Sequence, residues 1–154
     1  MRLGHAGFLA TLLCAALLWG RADAGLPTRT INADSLIAEA SKAIEGGQFE
    51  AAAKQLNIVL ARESTNTQAR FGLATAYREM GWLLSARRHF RLALSGDPNN
   101  ARWVARCRVQ IGRCWELAGD YREALAEYQL ALKADPTYGD AEAGRTRALA
   151  SRGD

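Results

Sequence analysis

The sequence predicts an all-α protein built as a stack of helical hairpins. Three observations predict it: a block that recurs at an offset of 34 residues, apolar residues at helical spacing inside each copy, and Asp-Pro or Asn pairs between copies. The recurrence is direct. Gly47-Gln48-Phe49-Glu50-Ala51-Ala52 aligns with Gly81-Trp82-Leu83-Leu84-Ser85-Ala86, and Gly119-Asp120-Tyr121-Arg122-Glu123-Ala124 follows 38 residues later. A period in this range marks a repeat architecture, in which no single copy can bury its apolar face alone. Leu125, Tyr128, Ala131 and Leu132 show the helical spacing within a copy. Small residues at expected crossings (Ala74, Ala86, Gly112, Ala124) let helices approach, and Tyr77, Phe90, Trp115 and Tyr128 fill the space beside them.

The downstream columns agree as well. Leu56, Phe90 and Tyr128 align, then Val59, Ala93 and Ala131, then the turns Asp97-Pro98 and Asp135-Pro136. In this pattern the sequence resembles the tetratricopeptide repeat (TPR) family of helix-turn-helix solenoids. The copy at 67–100 carries the family's small and aromatic residues at Ala74, Tyr77, Ala86, Phe90, Ala93 and Pro98. The next carries them at Gly112, Trp115, Ala124, Tyr128, Ala131 and Pro136. The first copy, 33–66, is degenerate, with Ala43 where an aromatic is usual and Ser64 where Pro is usual.

Along the chain, residues 1–24 read as a leader of the exported bacterial type. Arg2 precedes a 12-residue apolar run from Phe8 to Trp19, and Ala22-Asp23-Ala24 forms a small-x-small cleavage site. The run is shorter than the roughly 20 residues a membrane span needs. Thr11-Leu12-Leu13 before Cys14 lacks the small residue of a lipidation box. Residues 25–32 read as a flexible lead-in. The three repeats follow at 33–66, 67–100 and 101–138, the third carrying four extra residues, about one helical turn with Trp103, in its first helix. Residues 139–154 read as a capping helix and tail, making seven helices in all.

Composition and charge exclude several classes. Hydrophobic residues make up 49% and charged residues 23% of the 154-residue chain, which places it outside the disordered and collagen-like ranges. Loss of the leader would leave 130 residues at a net charge of +3, too mild for a nucleic-acid binder. The densest basic region runs through Arg87, Arg88, Arg91, Arg102, Arg106, Arg108 and Arg113, expected as a solvated face offset by Glu79, Glu116 and Glu123, with an anionic docking patch for an acidic protein segment, lipid head group or envelope polysaccharide as the alternative. Catalysis has no support. His5 lies in the leader, and His89 is a lone histidine expected at the surface. No phosphate loop, nucleophile turn, Cys-x-x-Cys pair or metal-ligand set is present, and no cofactor is implied. Cys107 and Cys114 lie two turns apart on one helix, about 10.5 Å between Cα atoms, beyond disulfide reach. They read as small apolar residues of a packed face, with an intermolecular disulfide as the alternative.

The resemblance implies that the first helices of the repeats line a concave groove. Carried onto this sequence, the groove positions include Ile37, Ser41 and Ile44 from the first repeat, and Phe71, Thr75 and Arg78 from the second. Arg106, Val109, Arg113 and Glu116 come from the third. Co-chaperone members grip a C-terminal carboxylate with Lys and Asn on their first helix; Ile37 and Ser41 stand at those positions here, so that clamp is not encoded. The expectation is a non-enzymatic adaptor of the bacterial envelope, periplasmic or secreted, binding a helix or extended segment of another protein in assembly of a pilus, secretion or envelope-biogenesis complex. Self-association is compatible with it. The alternative is a peptidoglycan- or polysaccharide-associated protein that uses Trp82, Trp103 and Trp115 as stacking platforms.

Overall fold

The computed structural model describes residues 32–152, so the expected leader at 1–24 and all but the last residue of the lead-in lie outside the described residues. The described residues form seven α-helices: α1 (Ala33–Glu45), α2 (Phe49–Arg62), α3 (Thr67–Glu79), α4 (Leu83–Gly96), α5 (Ala101–Leu117), α6 (Tyr121–Ala134) and α7 (Gly139–Arg152). Each packs on the next. In addition α1 touches α3, α3 touches α5 and α5 touches α7, whereas α2, α4 and α6 make no such contacts with one another. The odd-numbered helices therefore crowd together on the inside of the curve, and the even-numbered ones splay on the outside.

Local chemistry sets the helix boundaries. Asn32, Asn66 and Asn100, spaced 34 apart, cap α1, α3 and α5: their side-chain oxygens accept from the amides of Asp34 (3.0 Å), Ala69 (2.9 Å) and Trp103 (3.0 Å). Each cap satisfies a backbone donor otherwise left open at a helix start, worth about 1 kcal/mol. The hairpin turns repeat too. Gly47, Gly81 and Gly119 adopt φ of 74°, 78° and 82°, a region that penalises any Cβ. The amides that follow them, of Gln48, Trp82 and Asp120, donate back to Ala43, Tyr77 and Trp115. Caps at a constant spacing and hairpin glycines that shift from 34 to 38 locate the four extra residues inside α5, which has 17 residues against 13 in α1 and α3.

Three clusters run along the array. Ala40, Ala52, Leu56, Val59 and Leu73 fill the first, and Ala74, Ala86, Phe90, Ile111 and Cys114 the second. Ala105, Val109, Ala124, Tyr128, Ala141 and Ala148 fill the third, which α7 closes. Tyr128 is clamped by two glycines: a Cβ on Gly112 would lie 2.7 Å from its ring, and one on Gly144 2.5 Å. Cys107 and Cys114 are buried and free. Burial pushes their thiols up to about 12 and about 11. Among the described residues, no helix is long and apolar enough to cross a membrane, and no group of three or more His, Cys, Asp or Glu could hold a metal.

Candidate functional site: the cleft between α3, α5 and α7

An open cleft of ≈ 520 Å³ lies where the ends of the inner helices meet, lined by Arg78 and Glu79 of α3, Arg113, Glu116 and Leu117 of α5, Tyr121 of α6, and Arg147 and Ser151 of α7. Three guanidinium groups from three successive inner helices converge on it. Each has a carboxylate from this chain. Arg78 meets Glu79 and the Gln110 side chain, Arg113 meets Asp140 at 3.3 Å, and Arg147 meets Glu116 at 3.2 Å. The pairs at Arg113 and Arg147 are partly solvated, so each contributes about 0–1 kcal/mol and can exchange with a carboxylate from outside.

The groove residues expected from the sequence divide into two groups. Arg78, Arg113 and Glu116 meet in the cleft, and Arg106 is exposed, with its guanidinium 4.4 Å above the Phe71 ring. The rest do not line the cleft. Val109 is fully buried in the third cluster, because α7 covers the inner face of α5 that an uncapped array would leave open. Ile37 and Ile44 pack against the first cluster. Phe71 is half-buried, 5.2 Å from Phe90 and 5.2 Å from Trp103, and thus shielded from a partner's apolar face. The Ser41 and Thr75 hydroxyls donate to carbonyls of their own helices, at Ile37 and Phe71. Glu116 is occupied from two sides, accepting from Tyr128 at 2.6 Å and from Arg147.

Other expectations are corrected as well. His89 is half-buried against Tyr77, at 5.5 Å, rather than at the surface. Burial, with Arg70 and Arg88 nearby, lowers its pKa. Arg108 and Arg113 are offset by Glu127 and Asp140. Arg87 lies 3.6 Å over the Trp115 ring, a cation–π contact that covers one of the three proposed stacking surfaces. Trp103 donates its indole N–H to the Ala93 carbonyl and packs on Phe71, while Trp82, 57% exposed, leans on Tyr77. A row of open tryptophan platforms is therefore not formed. The wall contributed by α7 was legible only as a cap; Arg147 stands out in the sequence only by continuing the column of Ser41, Thr75 and Arg113.

Residues 105–138 match the family model described as tetratricopeptide repeat. Over 130 residues the chain is 31% identical to the tetratricopeptide repeat and J domain-containing co-chaperone DNJ1 of Fusarium oxysporum f. sp. lycopersici, covering 82% of this chain and 24% of that protein. It thus spans about a quarter of the length of that curated relative. The TPR domain of Sgt2 from Aspergillus fumigatus is similar in structure, with a TM-score of 0.70 at 19% identity, covering 80% of each chain. The first TPR of Spaghetti (RPAP3), solved bound to the HSP90 peptide SRMEEVD, gives 0.69 at 16% identity, covering 84% of this chain and all of that one. At these identities the likeness is one of fold, an all-α TPR domain of consecutively packed helices.

Proposed function

From the premise that this chain carries the tetratricopeptide repeat at 105–138 within an array of TPR fold, we propose that it is a non-enzymatic adaptor that holds an extended, acidic segment of a partner protein in the cleft between α3, α5 and α7. The carrying observation is the convergence of Arg78, Arg113 and Arg147 on one open cleft, with Leu117 and Tyr121 as its apolar edge. Guanidinium groups pair with carboxylates through geometrically defined, charge-assisted bonds, which gives such a cleft both attraction and register. Helices already stacked in place leave little ordering cost on this side of the complex. The RPAP3 domain of the same fold takes an acidic peptide. The mode differs, because Ile37 and Ser41 leave the α1 end of the groove without a carboxylate grip. Recognition rests on side-chain carboxylates at the α5–α7 end.

The leader pattern at residues 1–24 supports export, and an exported adaptor of this kind would act on a partner in the envelope, for instance in assembly of a pilus or secretion complex. Cell fractionation, with N-terminal sequencing of a mature chain beginning at Gly25, tests that part. For the cleft, the full chain is used to capture partners from an envelope extract and, in parallel, from purified cell wall. Arg113→Ala combined with Arg147→Ala should cut the captured protein at least about tenfold, as loss of two charge-assisted contacts implies. Undiminished capture by that variant, or capture of wall polysaccharide alone, would sink the reading.

A further inference from the structure

The outer face of the array carries a pattern the cleft does not use. Ile58, Leu92 and Leu130 are 43%, 39% and 42% exposed, and they fall at the same place in α2, α4 and α6, the tenth residue of each helix. Leu84, at the start of α4, is 75% exposed. Around this row the outer helices expose six basic side chains, among them Lys54, Arg88, Arg91 and Lys133, against two acidic ones, Glu50 and Glu123. Basic side chains thus outnumber acidic ones along the helices that carry the row, with Glu63, Asp97 and Asp120 confined to the turns at their ends.

We propose that this convex face docks on an anionic lipid bilayer, with Leu84 and the row Ile58, Leu92 and Leu130 dipping into the interfacial layer and the surrounding Lys and Arg reaching lipid phosphates. The shape selects the occupant. The aliphatic groups form a row on helices that do not touch one another, so they make a ridged strip and not a groove. A bilayer meets a convex surface along a strip and needs no enclosure. Long basic side chains lie along apolar surface while their charged ends stay at the headgroups, and a single-sign face is drawn to an anionic leaflet. None of these four aliphatic residues lines the cleft between α3, α5 and α7, so docking through them does not occupy it.

The test uses the full chain in a Cys14→Ser background, with an environment-sensitive fluorophore placed at Ser95→Cys beside Leu92 or at Ser41→Cys on the inner face. Both serines are exposed. Cys107 and Cys114 are buried and escape the label. Vesicles of phosphatidylcholine with 30% phosphatidylglycerol should blue-shift the Ser95 probe and leave the Ser41 probe unchanged, with binding at least about tenfold tighter than to pure phosphatidylcholine. Arg88→Glu with Arg91→Glu should erase that preference, and added salt should weaken it. Adsorption through residues 1–24 alone would be indifferent to those two arginines and to the probe's face, and that result overturns the proposal. So would an equal shift of the Ser95 probe by soluble poly-L-glutamate, which would give the face to an acidic polypeptide.

Discussion

Tyr128 of the outer helix α6 donates its phenolic hydroxyl to the Glu116 carboxylate of α5 at 2.6 Å, and Arg147 of α7 donates to the same oxygen at 3.2 Å. One carboxylate thereby ties together three helices at the floor of the candidate cleft. Tyr128→Phe keeps the buried ring and removes only the hydroxyl, leaving a largely buried carboxylate with one donor fewer. A hydrogen bond to a charged group is worth about 1.5–3 kcal/mol, so the variant should lose roughly that much in urea denaturation with an unchanged m-value. Loss below about 0.5 kcal/mol would show that water replaces the hydroxyl at no cost.

The same ring is pinned on its faces. A methyl group added at Gly112 or Gly144 would meet ring atoms at 2.7 Å and 2.5 Å, well inside contact distance. The ring cannot swing away without giving up Glu116. Alanine favours a helix over glycine by about 1 kcal/mol, yet overpacking costs about 1–3 kcal/mol, so Gly112→Ala and Gly144→Ala should each lower the Tm. A rise in Tm for either would mean that the helices separate freely at this crossing.

These two glycines show what the sequence made legible. Gly112 falls in a column with Ala40 and Ala74, so the repeat identifies it as a crossing. Gly144 falls in the column of Gly72 and Gln110, and Gly72 likewise approaches Leu56, the counterpart of Tyr128, but the intervening Gln110 breaks the pattern and hides the crossing. The helix pattern, the hairpin turns and the buried column Leu56, Phe90 and Tyr128 follow from local spacing and were readable. Val109 was misread for the converse reason: its repeat position is a groove position, and only the arrival of α7 buries it. The pairs Arg113–Asp140 and Arg147–Glu116 join residues 27 and 31 apart, a separation that no helical period encodes.

His89 should make stability fall on the acid side. Its pKa lies below 6.5, first because burial disfavours the imidazolium and then because Arg70 and Arg88 repel it. The unfolded chain therefore takes up the proton first as pH falls. This contribution is fully present above about pH 6.5 and is lost as pH falls through the lower folded value. His89→Gln should flatten the fall of the unfolding midpoint below about pH 6.5 relative to wild type. An identical acid slope in the variant would place the titration elsewhere.

On the alkaline side the sign is opposite and the groups are the two thiols. Cys107 and Cys114 are raised from 9.0 to about 12 and about 11, chiefly by burial, with Arg106 and Arg108 near the first and Arg78 and Arg87 near the second opposing the rise. Above about pH 9 the unfolded chain loses these protons while the folded chain keeps them, so stability declines as pH rises. Tyr128, also raised by burial and by its bond to Glu116, continues that decline at higher pH. Thiolate is the reactive form, so peptide mapping after brief iodoacetamide treatment at pH 8 should find both cysteines unmodified in the folded chain and fully modified in urea. Cys107→Ala with Cys114→Ala should remove the part of the alkaline decline that begins near pH 9. Rapid modification of either thiol in the folded state would mean that α5 opens locally, and the cleft it helps to wall would then not be preorganised.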